Sequence, residues 1–94
     1  MPKFIIERNI PGASALSRQQ LKEIAAKSNQ VVDGLGVPYE WIESFVAGDK
    51  IYCVHEAESA DVIYKHAREG GFPADAVTEV VAMIGPETAN DSMR

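Results

Sequence analysis

The sequence predicts an α+β domain of the ferredoxin-like type, with elements in the order β-α-β-β-α-β, and three observations predict it. A β-branched and aromatic run opens the chain, two alternating runs flank Gly48-Asp49 as a hairpin would, and two further stretches carry apolar residues at helical steps. Two right-handed crossovers satisfy this order, giving four antiparallel strands in one sheet with both helices on one face.

Lys3-Phe4-Ile5-Ile6-Glu7-Arg8 forms the first strand, halted by Pro11-Gly12. Ser17 and Gln20 then make a capping box, so a helix starts there. Leu21, Ile24, Ala25, Ser28, Val31, Val32 and Leu35 follow at three- and four-residue steps as one apolar stripe, which Gly34 and Gly36 end. Gly34-Leu35-Gly36 is too short for a phosphate loop and follows a helix instead of opening one.

Val37 to Ala47 and Lys50 to Ala57 are the arms of the hairpin. Ser59 caps a second helix that runs through Glu69, with Ala60, Ile63, Tyr64 and Ala67 facing inward and Gly70-Gly71 and Pro73 stopping it. Thr78 to Ile84 reads as the last strand. Residues 1–86 are thus expected to form a single domain, with residues 87–94 a flexible tail.

A chain of 94 residues supports one core. At this size only about 60 to 65% of the unfolded surface is buried, and a sheet face left uncovered by helices favours a homodimer. Nine basic residues, scattered along a chain of net charge −5, exclude the clustered phosphate contacts that a nucleic-acid partner requires. There is no apolar run of membrane-spanning length and no signal-peptide pattern, so no membrane partner is expected and the location expected is cytoplasmic. One cysteine, which cannot form an internal disulfide, suits the same reducing compartment.

With a two-residue turn at Gly48-Asp49, Phe45 faces Tyr52, Ser44 faces Cys53, Ile42 faces His55 and Trp41 faces Glu56. One sheet face then carries Tyr39, Trp41, Glu43, Phe45, Tyr52, Val54 and Glu56. The other carries Glu40, Ile42, Ser44, Val46, Ile51, Cys53, His55 and Ala57. The second, more aliphatic face belongs under the helices, with Glu40 and His55 toward its wetter end. The first is expected to meet a partner subunit, where Tyr39, Trp41 and Tyr52 edge a ligand pocket and Glu43 and Glu56 lie close enough to couple as general acid and base. The alternative is that the rings are dimer core and the carboxylates its rim.

Cys53 and His55, two residues apart on one face, span a distance that a shared metal bridges, and Glu40 is their diagonal neighbour. Thiolate, imidazole and carboxylate suit nickel, copper or zinc. Cysteine is equally an ordinary small core residue. His66, on the flank of the second helix, is expected at the surface, where it is available as a further ligand.

Trp41-Ile42-Glu43-Ser44-Phe45-Val46, Asp49-Lys50-Ile51-Tyr52-Cys53-Val54, His66-Ala67 with Gly71-Phe72-Pro73, and Val77-Thr78-Glu79-Val80 through Pro86-Glu87-Thr88 together resemble a small bacterial family of nickel-binding ferredoxin-like proteins. The resemblance implies a homodimeric α+β barrel and nickel binding linked to nickel response. The expectation is therefore a homodimer that binds a divalent transition metal, nickel first, as carrier, buffer or response protein, with Cys53, His55, Glu40 and His66 as candidate ligands. The alternatives are a small-molecule enzyme using Glu43 and Glu56 in a barrel cavity, or a plain dimerisation module.

Overall fold

The computed structural model describes residues 1–91. Strand β1 (Lys3–Asn9) is followed by helix α1 (Arg18–Gly34), strands β2 (Tyr39–Ala47) and β3 (Lys50–Ala57), helix α2 (Ala60–Gly70) and strand β4 (Ala76–Glu79). Short 3-10 turns span Ala13–Ala15 and Pro86–Asn90. The four strands form one antiparallel sheet in the order β2-β3-β1-β4, the ferredoxin-like arrangement.

Local chemistry sets the helix ends. Ser17 Oγ accepts from the Gln20 N–H at 3.1 Å and Gln20 Oε1 accepts from the Ser17 N–H at 2.8 Å, closing the capping box. Ser59 is the N-cap of α2 by position, but its side chain makes no capping hydrogen bond. The exit from α2 needs a left-handed residue, and Gly71 supplies it at φ +71, with the Phe72 N–H turned back to the Ala67 carbonyl at 2.9 Å.

The core lies between the sheet and the helices, where Phe4, Ile6, Ile51, Cys53, Ala57 and Ile63 are buried. Among the described residues no helix lies over the opposite sheet face. Ile5 and Phe45 are exposed there, beside half-buried Tyr52 and Val54.

Three expectations need correction. The last strand spans Ala76–Glu79 rather than Thr78 to Ile84. Its partner β1 starts at Lys3, whose carbonyl takes the Val80 N–H at 2.8 Å, so Val81 to Ile84 carry a strand's side chains with no strand to pair. Within α2 the inward face is Ile63, His66 and Ala67, while Tyr64 is exposed. His66 is three residues beyond Ile63 and so shares its face, which buries the imidazole instead of leaving it at the surface.

The third correction concerns the hairpin. Near the turn the register is as expected, Phe45 opposite Tyr52 and Ser44 opposite Cys53. A bulge between Trp41 and Glu43 then inserts Ile42 as an extra residue, so Trp41 stands opposite His55, Glu40 opposite Glu56 and Tyr39 opposite Ala57. Because side chains alternate, that single residue sends Tyr39 and Trp41 to the helix side and Glu40 to the outer face. Of the expected tail, residues 87–90 belong to the second 3-10 turn, which opens at Pro86, and residues 92–94 lie outside the described residues.

Candidate functional site

The bulge assembles the site. Alternation brings Phe4, Ile6 and Arg8 of β1 to the helix side of the sheet, Cys53 and His55 of β3 pair beside them, and the shifted β2 adds Tyr39 and Trp41. From above, α1 contributes Leu21, Ile24, Ala25 and Ser28, and α2 contributes His66. With Arg8, Trp41, Cys53, His55 and Phe72, these helix residues line a partly open cavity of about 260 Å³ that is mostly apolar.

Tyr39 links two histidines within it. Its hydroxyl hydrogen-bonds His55 Nδ1 and its ring stacks on His66, with centroids 5.2 Å apart and an interplanar angle of 18°. The two imidazoles meet edge to face at 5.2 Å. His66 Nε2 pairs with Ser28 Oγ at 3.0 Å, while His66 Nδ1 is buried with no partner among the described residues.

Both imidazoles are 1% exposed, and the ionised ring cannot be solvated there. Burial, followed by the neighbouring His66 and Arg8, lowers the His55 pKa to about 3. Burial, followed by Arg8, lowers that of His66 to about 4, against the raising effect of the Ser28 hydrogen bond. Both are therefore uncharged at neutral pH. Burial raises the pKa of the Tyr39 hydroxyl, which stays protonated.

Arg8, 4% exposed, is the one charged side chain on the cavity wall. Its Nε–H donates to Cys53 Sγ at 3.3 Å and an Nη–H to the Pro73 carbonyl at 2.6 Å, and the guanidinium lies 5.6 Å from the Phe72 ring centroid. No carboxylate among the described residues pairs with it.

Of the residues singled out in the sequence, Cys53, His55, His66 and Trp41 line this cavity, and Tyr39 packs on both histidines. Glu40, Glu43, Tyr52 and Glu56 belong to the outer face, so neither the expected acid pair nor Glu40 reaches the cavity. The ring-edged pocket expected on the outer face loses Tyr39 and Trp41 to the inner one, for the same reason of register. Arg8, Ser28 and Phe72 were not anticipated as site residues. Arg8 was findable, since it continues the inward alternation of Phe4 and Ile6, and Ser28 lies in the apolar stripe of its helix.

Among the described residues no three side chains of the His, Cys, Asp and Glu types are grouped so as to hold a metal ion. No helix among them is long and apolar enough to cross a membrane.

A search of curated proteins finds no match. The crystal structure of SCO4226 from Streptomyces coelicolor A3(2) matches this fold with a TM-score of 0.71 at 21% identity, over 87% of this chain and 99% of that one. A family model described as nickel responsive protein SCO4226-like matches residues 4–80. With that match spanning both helices and all four strands, the chain belongs to the SCO4226-like family of nickel responsive proteins.

Proposed function

We propose that this protein binds a divalent transition metal, nickel first, and acts as a carrier, buffer or response protein, as a cytoplasmic homodimer. The family description supports the metal. The observation that carries the reading is the pair of uncharged imidazoles on one cavity, one of them with a buried nitrogen that has no partner among the described residues.

In kind, the donors fit nickel. Neutral imidazole nitrogens and a cysteine sulfur suit a borderline ion, and the hydrogen bonds from His55 to Tyr39 and from His66 to Ser28 are of the sort that orients a ligating ring through its other nitrogen. In number, they fall short within one chain, so His55 and His66 are the two donors, water or a second copy completes the set, and Cys53 joins only where its contact with Arg8 gives way. Glu40 enters this reading only on the outer face, beside Glu56. The bound ion would link α2 to the sheet, giving the fold a nickel-dependent stability.

The homodimer rests on the uncovered sheet face and on the segment after β4, where Val81, Met83 and Ile84 are 94, 74 and 83% exposed. Apolar surface on that scale, on a domain this small, favours burial against a second copy.

Isothermal titration of tag-free protein with nickel chloride at neutral pH tests the metal. Heat with a saturable isotherm is expected, weakened at least tenfold in His55→Gln plus His66→Gln. No heat, or the same affinity in a folded double variant, removes the site.

A further inference from the structure

We infer that the cavity beneath α1 is a binding site for a small organic monocarboxylate with an apolar, ring-sized body, its carboxylate paired with Arg8. The inference goes beyond the metal reading and does not require nickel.

Arg8 is 4% exposed as a residue, and a guanidinium so placed is costly unless an anion accompanies it. The protein supplies only a thiol, one carbonyl and the face of Phe72. No anionic side chain lines the cavity, and the guanidinium's other terminal nitrogen makes no hydrogen bond among the described residues. A planar fork of N–H donors with a free edge is the group that recognises carboxylates.

The remaining walls choose the body of the ligand. Leu21, Ile24, Val46, Ile51, Trp41 and Phe72 are apolar and carry no second cation, so sulfate or phosphate would leave them unfilled. An engineered apolar cavity of about 150 Å³ accepts benzene. The 260 Å³ here therefore takes a ring together with its acid group. His66 provides an independent second pointer to a ligand, since it is 1% exposed, lines the same cavity and has Nδ1 unpartnered. Its ring stacks on Phe72 at 5.7 Å, the same ring that Arg8 contacts, so both groups belong to one wall of the cavity.

The test uses metal-free protein in excess EDTA, so that failure here and failure of the nickel reading are separate results. Sodium benzoate and sodium phenylacetate are titrated by calorimetry and by amide chemical shifts, with benzamide as the neutral isostere. Saturable binding of an acid is expected, with shifts at Ala25 and Ser28 and at least tenfold preference over benzamide. Arg8→Gln should abolish that preference. Ala25→Phe, which fills the cavity from α1 and leaves Arg8 alone, should abolish binding by a folded protein. No binding by the wild-type protein, equal affinity for acid and amide, or shifts confined to the outer sheet face would each overturn the inference.

Discussion

Tyr39 and His66 stack with their rings 18° from parallel, while the Tyr39 hydroxyl holds His55, so one phenol joins β2, β3 and α2. Both contacts require Ile42 to stand outside the pairing of the ladder. The consequences of this arrangement are open to measurement.

Stability should fall in mild acid. The two histidines titrate near 3 and 4 in the folded protein and near 6.5 when unfolded, so below pH 6.5 the unfolded chain binds more protons and is favoured. The stabilisation is fully present above about pH 6.5 and declines as pH falls toward 4, by roughly 1.4 kcal/mol per pH unit for each histidine across the window. Urea unfolding at pH 7.5, 6 and 5 measures it. A midpoint that does not move would show that these rings are not buried neutral.

Nickel affinity, if the ligands are these histidines, should resist acid more than free imidazole does. The folded rings stay unprotonated down to about pH 5, so affinity should hold between pH 7 and 5 apart from the contribution of the thiol. Titrations at both pH values in Cys53→Ser isolate the histidines. A loss centred near pH 6.5 would place the metal on exposed groups instead.

Tyr39→Phe keeps the ring and removes the hydroxyl. His55 Nδ1 is then left without its partner in a buried place, at a cost of about 1 to 3 kcal/mol. Equal stability of the two proteins in denaturant would mean that water replaces the hydroxyl.

Deleting Ile42 should leave a regular ladder that keeps Trp41 opposite His55 and facing the cavity. Its indole now lines the cavity and donates from Nε1 to Ser44 Oγ at 2.9 Å. Unchanged tryptophan emission, with the Tyr39 contacts to both histidines kept by NMR, is expected. A red shift with loss of those contacts would mean that the strand bulges elsewhere and turns Trp41 outward.

Gly70→Ala should disturb the cavity from behind. A methyl there would sit 2.4 Å from Phe72 Cε2, closer than atoms pack, so the ring that touches both His66 and Arg8 has to move. Destabilisation of about 1 to 3 kcal/mol and altered His66 ring shifts are expected. Wild-type shifts with wild-type stability would show that Phe72 yields freely.

The sequence by itself determined the element order, the capping box, the turn at Gly48-Asp49 and hence the ferredoxin-like topology. All of these are local, since a cap, a left-handed glycine and an apolar period each act within a few residues. Phe45 to Tyr52 and Ser44 to Cys53 were legible for the same reason, being close to the turn that sets them. Only the tertiary structure decided which face Tyr39, Glu40 and Trp41 occupy. An inserted residue leaves no mark in a two-residue period until the partner strand fixes the register. The burial of His66 and the isolation of Arg8 depend likewise on how α2 and the Phe72 turn settle over the sheet, and such long-range packing turns polar residues that read as surface or strand positions into the walls of one cavity.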